Sequence, residues 1–445
     1  MVTGFFQRYV YNSKFYNPSK GLVFLMIGGE GSISPPGDKW IRDESITMMQ
    51  WAKDFGAAAF LLEHRFYGPR ENSPTGKQDT ESLKLLSIDQ ALEDIKEFID
   101  QMNAKYFPKT KTHWVTFGGS YPESLSAFFR ETYPEYSIGA MSSSSAVEVF
   151  VDYYGYLVHT EENYRAENNK CAENIRTAFT IMQKLAYSGK DGRERLRNIF
   201  NLCQSFDETN VVKSLQFFYS NVIGYFQAIN QYSGDNRDEA TRNGMGIPMA
   251  CQIMNNSTDV DEMVRVKKIM DWYVTMYGAK PGCYPNSYKN YVDYYRDTSY
   301  NNKLLDDVGN FYSDQCIDLF GPEYTLTSTY ERVAKVLKKY GGANAYRGTK
   351  AAFTNGSIDP WKSLGLLKGN PANKVDAFLI EGTAHCAEMY PASPKDRKSL
   401  TDARVRLKAQ LSDWIKDAAT RSGNTATLGF ITSILVLLSS VHLRI

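Results

Sequence analysis

Three short apolar runs near the start of the chain constrain its fold most. They are GLVFLMIGG (21–29), AAAFLLEH (57–64) and WVTFGG (114–119), and each ends in glycine or a polar turn. Apolar runs of about four to eight residues fit buried strands. Between the last two lies SIDQALEDIKEFIDQM (87–102), whose apolar residues recur at helical spacing and in which Ser87 and Gln90 form a capping box. Strands buried on both faces and separated by helices predict a mostly parallel α/β sheet.

The rest of the chain divides into an insertion, a second α/β segment and a tail. Residues 148–332 are rich in Tyr, Asn and Lys and carry helical patterns, whereas strand-like runs return at AAFTNG (351–356) and KVDAFLIEG (374–382). A final helix is predicted over 396–417. The predicted segments are an α/β core over 1–147, a helical insertion over 148–332, the second part of the core over 333–418, and a spacer with an apolar tail over 419–445.

Composition excludes several classes of protein. The chain has 51 basic and 50 acidic side chains and a formal charge of +1, which argues against a nucleic-acid binder. Neither C-x-x-C nor H-E-x-x-H occurs, so we predict no metal site and no cofactor. Six cysteines are compatible with disulfides, but MVTGFFQRY (1–9) lacks the apolar core of a signal peptide. At this point a secreted and a cytosolic protein both stay open.

The C-terminal tail has the order of features that a lipid-anchor signal requires. Small residues at 417–419 and a polar spacer at 420–427 precede LGFITSILVLLSSV (428–441), which is uncharged. At 14 residues the apolar run is shorter than the ~20 of a membrane-spanning helix. Membrane attachment through this tail is therefore one expectation, and an ordinary C-terminus is the other.

The clearest chemical motif is a serine on a strand-to-helix turn. In WVTFGGSYPESLSAFFR (114–130), Ser120 follows two glycines, and the residues after Ser120 predict a helix with an apolar face. Such a turn exposes the serine hydroxyl and leaves the backbone N–H of the next residue, Tyr121, free to bind an oxyanion. The usual pattern is G-x-S-x-G, but Pro122 takes the last position here. The alternative is an ordinary glycine-rich turn.

A nucleophilic serine needs a base and an acid. The five histidines are His64, His113, His159, His385 and His442, and only His385 stands on a loop between a predicted strand and the last helix. Asp359, in FTNGSIDPW, also follows a strand. The order Ser120, Asp359, His385 is that of an α/β-hydrolase, in which serine attacks a carbonyl, histidine transfers the proton and aspartate holds the imidazole. A surface loop histidine is the alternative.

The loop GGEG (28–31) closes the first strand and offers a second oxyanion donor. The backbone N–H groups near Gly29 and Glu30 are the candidates. A phosphate-binding loop is the rival interpretation, but neither G-x-x-x-x-G-K-[ST] nor a full G-x-G-x-x-G follows.

Six motifs together resemble one family. GLVFLMIGGEG, EHRFYGPR with SPT, LSIDQALEDI, WVTFGGSY, FTNGSIDPW and GTAHCAEMYP occur in the order seen in the family of prolyl carboxypeptidase, dipeptidyl peptidase II and thymus-specific serine protease. The resemblance covers roughly residues 5–418. The HC-x-x-MYP form of the histidine loop is most similar to the thymus-specific branch and its invertebrate relatives.

The resemblance implies a fold, an activity and a set of site residues. It implies an α/β-hydrolase core with a helical cap inserted between nucleophile and acid. It further implies a serine exopeptidase of the secretory or lysosomal pathway, acting on peptides next to proline. The family's triad falls on Ser120, Asp359 and His385, and its disulfides fall on Cys171–Cys251 and Cys203–Cys283. Cys316 and Cys386 would be free or joined to each other.

The chain also departs from the family pattern. The family's elbow usually reads GGSYGG or GGSYSG, whereas this chain has GGSYPE (118–123). The usual W-x-Y-Q-T-C-x-E-F-G segment is missing before Cys316, so one wall of the site is expected to differ. Met1 falls where relatives already have an upstream signal, so we expect a missing signal peptide and a secreted, lysosomal or cell-surface protein.

Two functions from different classes are therefore carried forward. The first is a serine exopeptidase. Glu30 is its candidate partner for a substrate amine, and Arg65 or Arg70 is its candidate for a carboxylate. The other interpretation of the charged residues after the second predicted strand is a structural network of Glu63, His64 and Arg65. The second is a catalytically impaired relative that binds peptides or partners. An esterase or lipase has no support beyond the elbow. The oligomeric state is open, with a homodimer as one option.

Two neighbouring asparagines are predicted to carry glycans. Asn255 and Asn256 each begin an N-x-[ST] sequon beside Cys251, in the predicted insertion.

Overall fold

The computed structural model describes residues 5–144, 146–296 and 313–439, of which 313–314 and 421–439 are described as backbone only. Its strands form one sheet in the order β1-β3-β2-β4-β5-β6-β7. They are β1 (Tyr9–Asn12), β2 (Leu22–Ile27), β3 (Ala58–Leu62), β4 (His113–Gly119), β5 (Gly139–Ser143), β6 (Ala351–Gly356) and β7 (Asp376–Ile380). Only β1 pairs antiparallel, and all other pairings are parallel.

The helices lie between and after these strands. They are α1 (Lys39–Arg42), α2 (Thr47–Phe55), α3 (Thr80–Leu83), α4 (Ile88–Tyr106), α5 (Tyr121–Thr132), α6 (Gly155–Glu167), α7 (Asn169–Tyr187), α8 (Lys190–Phe200), α9 (Val211–Gln231), α10 (Glu239–Arg242), α11 (Ile247–Met254), α12 (Glu262–Met276), α13 (Tyr288–Arg296), α14 (Ser313–Phe320), α15 (Leu326–Tyr340) and α16 (Lys398–Ser439).

The sheet is buried on both faces, which explains its continuous apolar strands. Alternate residues of β2 point to opposite sides, because successive side chains of a strand do so. Val23 and Leu25 pack with α4 and α5, while Phe24 and Met26 pack with α2 and α16. The sheet is mostly parallel and covered on both faces, and β3 lies between β1 and β2 in the strand order. This is the α/β-hydrolase fold. The predicted fold class is thereby confirmed.

The segment between β5 and β6 is helical and has its own core. Helices α6–α9, α11 and α12 enclose a cluster of buried residues separate from the two clusters on the sheet. Two disulfides cross this core, Cys171–Cys251 and Cys203–Cys283, as the family resemblance implies. Cys316 and Cys386 are both free thiols, so the option that they join each other is wrong.

Helix α4 begins with a simpler cap than predicted. The Ser87 hydroxyl accepts a hydrogen bond from the Gln90 N–H at 3.4 Å, as an N-cap residue does. The Gln90 side chain does not return to the Ser87 backbone, because its Oε1 accepts a hydrogen bond from Arg65 Nη1 at 2.6 Å. A tertiary contact thus replaces the second half of the capping box.

The last helix is longer than the predicted 396–417. Helix α16 runs from Lys398 to Ser439, through the residues that we predicted to be a spacer. No proline interrupts residues 398–439, so nothing in the chain forces the helix to stop at 417. Among the residues that the structure describes, no helix combines the length and the apolar character needed to cross a bilayer. The end of the predicted tail, with His442, lies outside the described residues.

Candidate active site

Ser120 lies at the tip of a sharp turn between β4 and α5. Its backbone has φ 63° and ψ −137°, a conformation in the left-handed range of φ that costs a non-glycine residue energy. The Ser120 N–H donates to the carbonyl of Ser143 on the neighbouring strand, at 3.0 Å. The helix comes so close to the strand that a Cβ at Gly118 would lie 2.1 Å from the Pro122 carbonyl oxygen. The serine therefore stands on the strained elbow that its sequence motif predicts.

Pro122 fits the elbow without cost to the helix. It lies in the first turn of α5, where a backbone N–H has no partner inside the helix, so its missing donor is not needed. Its ring contacts Gly29 of the loop after β2, where an added Cβ would lie 2.8 Å from the proline Cγ. The bulk that replaces the usual glycine is thus accommodated by a glycine on the facing loop.

His385 and Asp359 form a buried hydrogen-bonded pair. His385 Nδ1 lies 2.8 Å from Asp359 Oδ2, and the side chains are 2% and 0% exposed. Asp359 Oδ1 also accepts the N–H of Trp361 at 3.0 Å. The other ring nitrogen of His385, Nε2, is buried and has no hydrogen-bond partner among the described residues. One nitrogen is thus fixed by the acid, and the other is left available.

The histidine loop and the serine turn meet at the carbonyl of Ser143. This oxygen accepts the Ser120 N–H at 3.0 Å and the Cys386 thiol at 3.7 Å. A Cβ at Gly119 would lie 3.1 Å from Cys386 Sγ. The residues that flank Ser120 and His385 thus lie close together around this oxygen.

The pKa of His385 lies well above its ordinary value of 6.5. Burial alone would lower it, because a buried ring holds a charge less readily. The charge of Asp359, its hydrogen bond to the imidazole and the neighbouring Cys386 outweigh that effect. The Asp359 carboxylate thus stabilises the imidazolium form that a general base adopts after taking a proton.

The backbone N–H groups that we predicted to be oxyanion donors are those of Tyr121, Gly29 and Glu30. Those of Gly29 and Tyr121 donate to no protein acceptor among the described residues. Glu30 as a residue is exposed, yet the protein around its carboxyl desolvates that group and raises its pKa.

The charged residues after β3 form a structural network. Arg65 makes a forked ion pair with Asp94, at 2.6 and 2.7 Å, and also donates to Gln90. Glu63 is fully buried and pairs with Arg8. Both side chains are engaged, so the interpretation of this strip as an ion-pair network fits the structure. Arg70 is exposed, and its Nε donates to the Gly76 carbonyl at 2.9 Å.

Several site residues were not predicted from the sequence. The His385 N–H donates to the carbonyl of Gln231 at 3.0 Å, and the Tyr232 ring packs edge-on against the His385 ring with centroids 6.0 Å apart. Both residues lie at the end of α9, where no motif marks them. The Ser144 hydroxyl accepts the Cys386 N–H at 2.7 Å. Ser144 has φ 58°, but its run of serines carries no signal for such a position.

The remaining histidines lie elsewhere. His113 begins β4, at the opposite end of the strand from Ser120. His159 contacts Glu162 and Ser363 at the surface. His64 is buried and bonded to Tyr121, at 3.0 Å.

The fold places this chain in the α/β-hydrolase class. Comparison with known families is more specific, since the model of the serine carboxypeptidase S28 family matches residues 2–309 and 308–407. The chain belongs to this family of serine peptidases.

Known relatives agree with this assignment. A Caenorhabditis elegans protein named "Putative serine protease F56F10.1" is 34% identical over 97% of this chain and 85% of its own length. The thymus-specific serine protease of Mus musculus is 28% identical over 93% and 84%, and the lysosomal Pro-X carboxypeptidase of Homo sapiens is 23% identical over 94% and 85%. Among solved structures, proline iminopeptidase of Mycobacterium smegmatis aligns over 92% of this chain and 95% of its own, with 9% identity and a TM-score of 0.38.

Proposed function

We propose that this chain is a serine exopeptidase that cleaves peptides next to proline through an acyl-enzyme. Ser120 attacks the scissile carbonyl, His385 takes the serine proton and returns it to the leaving amine, and Asp359 holds the imidazole. The N–H groups of Tyr121 and Gly29 stabilise the oxyanion. The observation that carries the proposal is the buried His385–Asp359 pair, 2.8 Å apart, with a free Nε2, beside a serine at φ 63°.

A pair of aromatic rings beside Asp359 supports a preference for proline. Trp361 follows Asp359 by two residues, and its ring stacks on Tyr153 with centroids 5.8 Å apart and planes at 19°. Tyr156 packs edge-on against the same indole at 5.0 Å. Trp361 and Tyr153 are only partly buried. Aromatic surfaces of this kind bind the flat, rigid proline ring in other recognition sites.

The site has a charged group suited to each end of a peptide. Glu30 carries a carboxyl beside the oxyanion loop and suits a substrate amine. The Arg237 guanidinium lies 3.9 Å above the centroid of Tyr232, the residue packed on His385, and its ion pair with Asp238 is long, at 3.7 Å. Lys39 Nζ donates to the Arg237 carbonyl at 3.4 Å. This cationic pair lies on the histidine side, from which the leaving group departs, and suits a carboxylate.

The test compares two substrate classes on one protein. The full chain, secreted from eukaryotic cells, is assayed with Xaa-Pro-amides and with N-acyl-Pro-Xaa acids, and Ser120→Ala is the control. An amino-terminal exopeptidase cleaves the amides and loses activity in Glu30→Gln, whereas a carboxypeptidase cleaves the acids and loses activity in Arg237→Gln. A folded wild-type protein no more active than Ser120→Ala on either class would favour the alternative, a catalytically impaired relative that binds peptides.

The same family suggests where the protein works. Two disulfides and the lysosomal relative favour the secretory or lysosomal pathway. Asn256 is exposed and its amide oxygen accepts the Thr258 N–H at 3.0 Å, whereas the partly buried Asn255 amide bonds Asn168 and Asn174. Asn256 is therefore the better glycan acceptor. A lipid anchor through the tail stays a prediction, and release of the protein from cells by a phosphoinositide-specific phospholipase would test it.

A further inference from the structure

His64 and Tyr121 share a buried hydrogen bond beside the proposed nucleophile. His64 Nε2 lies 3.0 Å from the Tyr121 hydroxyl, and His64 is 4% exposed. Tyr121 is the residue after Ser120 and the first residue of α5. Its backbone N–H is the proposed oxyanion donor, so its side chain is fixed at one end by a histidine outside the triad.

The direction of this hydrogen bond follows from the other contacts of the ring. His64 Nδ1 lies 2.9 Å from the Arg65 carbonyl oxygen, which can only accept, so Nδ1 carries the hydrogen. Burial lowers the pKa of His64 to about 4, so the ring is neutral at working pH and Nε2 is an acceptor. Burial raises the pKa of Tyr121, so its phenol keeps its proton and donates a hydrogen bond to His64 Nε2.

The histidine is itself held on a rigid base. Asn72 Nδ2 donates to the backbone carbonyls of both His64 and Tyr67, at 2.6 Å each. The next residue, Arg65, is fixed by its forked ion pair with Asp94. The Tyr67 ring packs edge-on against the imidazole with centroids 5.4 Å apart. The ring therefore has little freedom to follow Tyr121 if that residue moves.

We propose that His64 is a positioning residue of the peptidase reaction, which acts by holding Tyr121 so that its backbone N–H points at the oxyanion. This inference rests on the proposed function. Ser120 has a strained backbone, and the residue that follows it needs an outside contact to keep that geometry. The oxyanion forms in the transition states of acylation and deacylation and is absent from the bound substrate, so loss of the contact should lower kcat and leave KM nearly unchanged.

Two amide substitutions separate the two ends of the imidazole. In His64→Gln the side-chain amide can take the place of Nε2 and accept from Tyr121, whereas in His64→Asn the shorter amide can replace only Nδ1. We expect His64→Asn and Tyr121→Phe each to lower kcat by about tenfold, the effect of one hydrogen bond, and His64→Gln to recover most of it. The double variant His64→Asn/Tyr121→Phe should be no slower than either single variant, because both substitutions remove the same hydrogen bond.

The experiment measures kcat, KM and the rate of labelling by a fluorophosphonate for each variant, with thermal unfolding as a check of folding. His113→Asn, at the far end of β4, is the matched control. Three results would overturn the role of His64: losses of kcat that multiply in the double variant, a change in KM alone, or a wild-type kcat in Tyr121→Phe. An unlabelled, inactive but folded wild-type protein would instead overturn the proposed function, and the inference with it.

Discussion

At the scale of single residues, the contact between Pro122 and Gly29 adapts an unusual elbow. An added Cβ at Gly29 meets only the proline ring, with Cγ at 2.8 Å and Cδ at 3.2 Å. We expect Gly29→Ala to push the oxyanion loop away from Tyr121 and to lower kcat/KM at least tenfold, since overpacking costs about 1–3 kcal/mol. Steady-state kinetics would measure the loss.

A second substitution isolates this contact. In Gly29→Ala/Pro122→Gly the added methyl group has no ring to meet. We therefore expect the double variant to be nearly as active as Pro122→Gly alone. Equal losses from Gly29→Ala in both backgrounds would show that the glycine is needed for another reason.

The triad geometry makes a prediction about pH. The base must be neutral to work, and the pKa of His385 is above 6.5, so kcat/KM should rise with pH and reach half its limit above pH 6.5. In Asp359→Asn the largest of the effects that raise this pKa is gone, and burial, which lowers the pKa, remains. We expect the midpoint to move to lower pH, and kcat to fall by about 10⁴-fold.

A pH–rate profile of both proteins would test this, with Asp413→Asn, an exposed substitution on α16, as the control. An unchanged midpoint in Asp359→Asn would contradict the assignment of His385 as the titrating base.

Residues inside short motifs were predictable from the sequence, and residues brought in by tertiary packing were not. The turns around Ser120, Asp359 and His385 each follow a predicted strand, and parallel strands end at the same edge of the sheet, so their proximity could be expected. Gln231 and Tyr232 reach the histidine loop from the end of a long helix in the insertion. Only the path of the whole insertion sets that contact, and no local pattern encodes it.

At the scale of elements, strands made of apolar runs could be predicted from the sequence, whereas a strand made of small residues could not. The predicted strands at 21–29, 57–64, 114–119, 351–356 and 374–382 are all present. β5, with the sequence GAMSS, was missed because it has no β-branched or aromatic residue. Its small residues serve packing, since a Cβ at Gly139 would lie 2.2 Å from the Trp414 ring. β1 was missed because its four residues are too few to show a period.

The loop between α9 and α10 contains a buried carboxyl that should make stability depend on pH. Asp235 is 8% exposed, its Oδ2 has no hydrogen-bond partner among the described residues, and burial raises its pKa from 3.8 to about 7. The folded state therefore binds a proton that the unfolded state has lost, so the carboxyl costs stability progressively from pH 4 to pH 7.

The substitution Asp235→Asn removes this dependence and keeps an acceptor for the Arg237 N–H. The free energy of unfolding of the variant minus that of wild type should be about 2 kcal/mol larger at pH 7 than at pH 5, so the variant gains stability relative to wild type as the pH rises. Urea unfolding at the two pH values measures it, with Asp402→Asn as a surface control. The same difference at both pH values would show that Asp235 is ionised throughout in the folded protein.

At the scale of the whole molecule, the helical segment and the sheet have separate cores, and disulfides cross-link only the helical one. Each bond closes a sequence separation of 80 residues. Removing Cys171–Cys251 by a double serine substitution should lower the free energy of unfolding by about 4 kcal/mol, because the unfolded chain regains the entropy of the open loop.

Thermal unfolding without reductant would measure this loss, with Cys316→Ser as the matched control because that thiol is free and only partly buried. A double serine variant as stable as the control would contradict a structural role for the bond.

Ser120 is the proposed nucleophile of a working hydrolase. A fluorophosphonate reacts with a serine activated by a base and an oxyanion hole, and mass spectrometry locates the adduct. We predict one adduct, on the peptide that contains Ser120, absent in Ser120→Ala and retained in Ser124→Ala, the buried serine one turn along α5. A folded wild-type protein with no adduct, or with the adduct on another serine, would contradict the account.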